Sequence, residues 1–323
     1  MATSPGMPSR GKWANALIDN EMRRSRDVSG KIFRFLTGAA CLVIVSMVAL
    51  IIGNIFINGR HHLSWRFLTA APEDGMTGGG IFPAIYGTVL LVILMTLAVV
   101  PVGVMVAIYL QEYSSHSSRL YKATRLAVSN LAGVPSIVFG LFGLGFFVKF
   151  LGGSIDRLFY GGNLVFGQPA ILWAAMTLAV LTLPVVILTT EDTLRSIPNE
   201  LREASMALGA TKFQTIRHIV LPQAVSGILT GGILAVSRGA GEVAPILFTG
   251  AAYFLPELPT KLTSQFMELG YHVLVLSTQS PDVEATKPIL YSTVFVLLAL
   301  TFLLNFVAII IRSQMRARLR TRG

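Results

Sequence analysis

Apolar residues in this chain fall into long continuous runs separated by shorter polar stretches, without strand-like alternation of apolar and polar positions. The runs lie near 33–57, 83–109, 126–148, 169–190, 223–249 and 288–311. Each is long enough for a helix to cross a bilayer core, which takes roughly 20 residues at about 1.5 Å per residue. Barrel strands would alternate lipid-facing and lumen-facing residues, so the pattern predicts an all-α polytopic membrane protein with six transmembrane helices. The first run follows a basic stretch and has no small-residue cleavage pattern after a short apolar core, which marks it as an uncleaved span. Prolines recur inside the runs, at Pro101, Pro135, Pro184 and Pro245, with Gly133, Gly140, Gly143 and Gly145 beside or after some of them. Two readings fit them: ordinary close packing of membrane helices, or bent and broken helices lining a path.

Composition agrees with the pattern. Of 323 residues, 53% are hydrophobic and only 13% charged, about half the charged fraction of a soluble domain, and the mean hydropathy is +0.66. The single cysteine, Cys41, lies inside an apolar run and leaves neither a disulfide framework nor a metal cluster. The net charge of +10 raises the question of nucleic acid, but its placement answers it. With the N-terminus in the cytoplasm, the inner segments carry 19 Lys and Arg, the outer segments six, and Arg238 stands alone within a span. This bias puts both termini in the cytoplasm. The arginine-rich tail begins where the last run ends, which points to anionic lipid headgroups and not to nucleic acid.

The loops add detail. The Ser/Pro/Gly-rich tip before Gly11 is expected to be disordered, and the rest of the N-terminal segment to form a short helix near the membrane. Glycines 78–80 precede Pro83 at the start of the second run, but the lysine and preceding strand of a phosphate-binding loop are missing. The outer loop 250–287 has an apolar middle suited to a short re-entrant or interfacial helix, too short for a seventh span. The cytoplasmic loop 191–222 is more organised than a linker. Pro198 suits the first turn of a helix whose residues Leu201, Ala204, Ser205 and Leu208 share a face. Gly209 ends it, Thr211 caps a second helix, and Pro222 restarts the chain into the fifth run. Such a knob is either an amphipathic hairpin on the membrane surface or a docking element for a soluble partner. Glu203 has no histidine or second carboxylate placed to share a reaction, so no catalytic residue emerges.

Glu203-Ala204-Ser205, Gly209 six positions after the glutamate, and then Ile219, Leu221 and Pro222 resemble the cytoplasmic signature of binding-protein-dependent ABC transporter permeases. Ser205 departs from it, standing where that signature usually has alanine. The segments "GGGIFPAIYGT" (78–88), "GVPSIVFGLFGLGFF" (133–147), 182–224 and "SRGAGEVAPILFTG" (237–250) are similar to the PstA family of phosphate ABC transporter permease subunits, over a stretch from about residue 30 to the C-terminus. The resemblance implies the type I ABC importer permease fold with a cytoplasmic coupling helix. Residues 33–311 would form the permease domain, with the coupling region at about 197–220. Residues 1–32 and 312–323 would be cytoplasmic ends, the second one basic. It further implies the bacterial cytoplasmic (inner) membrane as location and phosphate as substrate. The implied partners are a homologous permease subunit PstC, a dimer of the ATPase subunit PstB and an extracytoplasmic phosphate-binding protein PstS. ATP-Mg would then act on the ATPase subunits, with no cofactor on this chain. In that frame Glu203, Ala204, Ser205, Gly209, Ile219, Leu221 and Pro222 belong to ATPase coupling.

Arg238 and Glu242 remain. Their i,i+4 spacing puts them one turn apart on a helix, near the midpoint of the run 223–249. An arginine facing lipid at that depth costs about 2.5–3.5 kcal/mol. The pair is either a neutral lock within the bundle or part of a permeation path. In the path reading, the guanidinium fork suits a tetrahedral oxyanion and Glu242 keeps it from holding the anion too tightly. The resemblance favours the path.

Overall fold

A computed structural model describes residues 10–73, 76, 78–115, 117–280 and 283–320. The expected disordered tip, residues 1–9, and the end of the tail, residues 321–323, lie outside the described residues, as do the side chains of Arg316, Arg318 and Arg320. The chain divides into two units, residues 1–57 and 58–323. Helix α1 (Arg10–Gly59) is continuous through the N-terminal segment and the first apolar run, where a separate short cytoplasmic helix was expected.

In the second unit the order is α2 (Trp65–Thr69), a two-residue hairpin of β1 (Pro72–Glu73) and β2 (Gly78–Gly79), then α3 (Phe82–Ile108) continuing into a π-helical turn at Tyr109–Tyr113. Next come α4 (Arg119–Leu131), α5 (Ser136–Phe142), a π-helical stretch Gly143–Gly152 and α6 (Gly153–Phe159). The chain continues with α7 (Ile171–Arg195), α8 (Asn199–Ala207), α9 (Lys212–Thr215), a π-helical turn Ile216–Val220, α10 (Leu221–Gly239), α11 (Leu269–Thr278) and α12 (Val283–Arg320). Among the described residues six helices are long and apolar enough to cross a membrane: Gly30–Gly59, Phe82–Tyr113, Ser136–Phe159, Ile171–Arg195, Lys212–Gly239 and Thr286–Met315. The all-α, six-span expectation holds.

Both ends of the third and fifth spans differ from the hydropathy reading by ten residues or more, the third ending at Phe159 and not at 148. The third span starts at Ser136, not 126, because Pro135 lacks an amide donor and takes ψ 138°. The preceding α4 is therefore a separate helix that carries its own charged face. The fifth span starts at Lys212 and ends at Gly239, ten residues short of the expected end. Nor does Pro222 restart the chain. It lies inside one continuous helical stretch, just after the π turn Ile216–Val220, whose wider loop accommodates a residue without an N–H.

Helix α7 is the best buried of the six, and threonines explain how neighbours approach it. Thr177, Thr182, Thr189 and Thr193 each donate to a carbonyl four residues back, so their hydroxyls are satisfied within the helix. Three of these threonines also face glycines: Gly143 backs on Thr177, Gly231 on Thr189 and Gly227 on Thr193. Any larger side chain there would collide, so small residues set the interhelical distance. Helix α3 packs on the same helix, with Gly103 against Val186.

At the outer end, Asp156 is a buried carboxylate that accepts the backbone N–H groups of Val165 (3.0 Å), Phe166 (2.8 Å) and Gly167 (2.7 Å). It folds the connection back onto α6, and the indole of Trp173 donates to the Phe166 carbonyl at 2.7 Å. Asp156→Ala leaves three amides without an acceptor. The expected result is a lower thermal unfolding midpoint in detergent and several-fold faster proteolysis within 160–167. Wild-type protection of that loop would refute the role.

Candidate functional site

Helix α10 stops at Gly239, and the chain from 240 to 250 runs in turns. The local cause is compositional: Gly239 and Gly241 flank the end, and Pro245 disfavours helix at the residue before it. The stop falls level with the middle of the second span. Gly239 backs on Met95, which lies near the middle of the span Phe82–Tyr113, while the Thr249 carbonyl accepts the amide of Ala170 (2.8 Å) at the outer start of α7. The segment 240–250 therefore continues outward as non-helical backbone, tolerated at membrane depth where protein buries it, as at Ala240, Pro245, Ile246, Thr249 and Gly250. Of the four prolines inside apolar runs, Pro135 and Pro245 accompany breaks, whereas Pro101 and Pro184 sit within continuous helices.

Arg238 occupies the last turn of α10, where the helix's exposed carbonyl ends favour a cation. Glu242 lies beyond the helix, a correction to the one-face picture, yet the tight turns at 240–242 still bring it back. Arg238 Nε donates to Glu242 Oε1 at 3.3 Å. The side chains are 41% and 21% exposed, so the pair opens onto a surface of the chain and is not sealed in its core. One residue earlier, Ser237 donates to Asn305 of α12, fixing the end of α10.

The outer loop expected to carry a short re-entrant or interfacial helix contains the short apolar helix α11. Its N-cap, Glu268, is buried and accepts the amides of Gly270 (2.8 Å) and Tyr271 (2.7 Å). Burial pushes the Glu268 carboxyl up to about 7, against the opposing pull of those amides and of the Thr88 hydroxyl. Gly270 packs on Val243, so α11 sits directly against the non-helical segment beside Glu242.

On the other side of the membrane, Pro198 caps α8, Gly209 takes φ +88°, and Thr211 with Gln214 forms a reciprocal capping box at the start of α9. None of the residues of α8 is buried. Leu201, Ala204, Met206 and Leu208 are exposed, Leu208 at 90%, and so are Phe213 and Glu203. Ser205 is the exception in direction: its hydroxyl lies 2.9 Å from that of Thr215 and ties α8 to α9. Ile219, Leu221 and Pro222 are partly buried along the helix that leads into the fifth span.

Sequence reasoning missed the polar contacts that hold this region. Arg202 donates to Glu112 Oε1 at 2.7 Å and to the carbonyls of Ile197 (2.7 Å) and Leu194 (2.8 Å). Buried Glu191 accepts from Arg195 at 2.7 Å and from Arg125 of α4. The only available signal was the carboxylates at two span ends, Glu112 and Glu191 with Asp192, next to basic loops. Arg312, assigned to the lipid-contacting tail, instead donates to the Thr230 hydroxyl of α10 at 2.9 Å. Among the described residues no group of three or more His, Cys, Asp or Glu side chains can hold a metal.

Comparison with known proteins bears on both ends of this site. The chain is 31% identical over 275 residues to the probable ABC transporter permease protein YqgI of Bacillus subtilis (strain 168), covering 81% of this chain and 88% of that one. It is 41% identical over 169 residues to the phosphate transport system permease protein PstA 1 of Mycobacterium tuberculosis, an alignment that spans half of that relative's length. The PstA of Haemophilus influenzae is 34% identical over 225 residues, covering 69% of this chain and 74% of the relative. In fold, the chain matches a chain in the crystal structure of a bacterial alginate ABC transporter bound to its periplasmic protein, with a TM-score of 0.61, 15% identity and coverage of 93% and 97%. Residues 99–321 match the family described as "Binding-protein-dependent transport system inner membrane component". The chain belongs to that family.

Proposed function

We propose that this chain is the permease subunit of an ATP-driven ABC importer that moves inorganic phosphate into the cell, and that anions pass at Arg238 and Glu242. The observation that carries the reading is a partly exposed guanidinium at the point where α10 ends level with the middle of the second span, in a chain similar to phosphate permeases. The guanidinium alone supplies the donors to a tetrahedral oxyanion, since the C-terminal helix end beside it presents carbonyls, and the single contact to Glu242 leaves the terminal nitrogens of the fork for it. Residues 33–311 form the membrane body in this reading, with 1–32 and 312–323 as cytoplasmic ends. A PstC-like sister supports the second half of a paired channel: the PstC of Mesorhizobium japonicum is itself 30% identical to this chain over 249 residues. The exposed apolar face of α8, with Glu203 and Gly209, docks on a PstB-like ATPase dimer that binds ATP-Mg, and a PstS-like binding protein delivers phosphate from outside.

The test is reconstitution. The chain purified alone hydrolyses no ATP, whereas co-expressed ATPase and sister permease co-purify with it. In proteoliposomes the assembly takes up radiolabelled phosphate, competed by excess unlabelled phosphate and not by sulfate. Robust hydrolysis by the isolated chain, or equal competition by sulfate, would sink the assignment.

A further inference from the structure

We propose that Arg202 and Glu112 form a joint through which movement of α8 is transmitted to the second span. The inference rests on the reading of α8 as the ATPase-docking helix. A helix with no buried residue is not held by apolar packing, so its attachment has to be polar. Thr215 and the continuous stretch Lys212–Gly239 give one route from the knob into the membrane, toward Arg238. Arg202 supplies a second. Its guanidinium meets three elements at once: its own helix, the carbonyls at the end of α7, and Glu112 in the π turn that ends the second span.

Three consecutive residues of that π turn engage the same loop. Arg195 Nε donates to Gln111 Oε1 at 3.2 Å, Arg202 holds Glu112, and Lys212 Nζ lies 5.3 Å from the centroid of the Tyr113 ring. Arg202 and Glu112 have side chains only 13% and 7% exposed, so their contact is short, shielded from salt and directional. The span beyond Glu112 carries Met95, which backs on Gly239 next to Arg238. From Glu112 to Met95 is about 25 Å of helix. Motion of α8 therefore reaches both helices that meet beside Arg238, one covalently and the other through this ion pair. Arg202 and Glu112 are positioning residues; neither touches the transported anion.

The experiment uses the full importer in proteoliposomes, with phosphate uptake, ATP hydrolysis and ATPase association measured on each sample. Glu112→Gln is expected to keep assembly and hydrolysis while uptake per ATP falls about tenfold; Glu112→Asp, which keeps the charge, recovers most of it. In a Cys41→Ser background, Glu112→Cys with Arg202→Cys is uncoupled in the same way, and a bifunctional thiol crosslinker spanning the two positions restores uptake, because the joint moves as one body. Unchanged uptake per ATP in Glu112→Gln, or loss of uptake on crosslinking, overturns the proposal. So does loss of uptake strictly in proportion to loss of bound ATPase, which would make Glu112 a shaper of the docking surface only. Failure of the docking reading itself shows elsewhere, as normal ATPase association and uptake in Glu203→Lys.

Discussion

Arg238→Gln leaves the importer assembled in wild-type amount and reduces phosphate uptake by roughly a hundredfold, the worth of about 3 kcal/mol for charge-assisted hydrogen bonds to an anion. Glutamine keeps a long polar side chain at the end of α10, so the neighbouring Ser237–Asn305 contact and the packing of Gly239 on Met95 persist. What disappears is the only cation in the fifth span's last turn. Glu242→Gln does something different: the arginine remains without its 3.3 Å partner, so anion binding tightens and release slows, with milder loss of uptake. A structural lock forecasts the reverse, in which either single change mainly lowers the quantity of assembled complex and Arg238→Leu with Glu242→Leu restores both assembly and uptake. The 41% exposure of the arginine side chain already argues against a sealed lock. Radiolabelled uptake measured beside the amount of complex separates the two, and near wild-type transport by Arg238→Gln would falsify the conduction role.

The second large effect lies in the cytoplasmic knob. Gly209 joins α8 to α9 at φ +88°, a conformation that costs about 1–2 kcal/mol for a residue with a Cβ and that proline, locked near −65°, does not reach. Nothing stands within 4 Å of a Cβ placed there, so the demand is on the backbone and not on space. Gly209→Pro therefore turns α8 away from α9 while leaving the six spans inserted. Glu203→Lys keeps the turn and reverses the charge of an exposed side chain. Both are expected to retain membrane insertion and to lose at least about nine-tenths of uptake, a little over 1.4 kcal/mol of coupling, Gly209→Pro through detachment of the ATPase and Glu203→Lys through weakened docking. Co-purification of the ATPase with each variant, alongside uptake, checks this, and normal values for both variants remove the coupling role from this loop.

The six spans were legible in sequence because each is an apolar run at least as long as a bilayer core needs, and no soluble or barrel alternative produces that pattern. The ends of the third and fifth were not. Around Pro135 and from Ala240 to Gly250 the residues stay apolar after the helix has stopped, since backbone buried in protein at membrane depth needs the same side chains as a helix there. Hydropathy reports the environment of a residue and not its backbone conformation. Arg238 and Glu242 were found as charges out of place, but their relation came out as a turn at a helix end and not as two steps along one helix. In the knob, Pro198, Gly209 and Thr211 announce their conformations locally, so the two helices were readable. The contact between Arg202 and Glu112 joins residues 90 positions apart, and no local pattern announces such a pairing.

On the proposed path, because α10 ends level with Met95, an anion held at Arg238 would have crossed about half of the electric field across the membrane. One negative elementary charge moved inward across 100 mV, negative inside, climbs about 2.3 kcal/mol. A divalent oxyanion thus reaches the arginine about 2.3 kcal/mol uphill and faces an equal climb to the cytoplasm. In that role the guanidinium counters the membrane potential as well as the loss of hydration, and vesicles polarised negative inside are expected to fill this position less readily than depolarised ones.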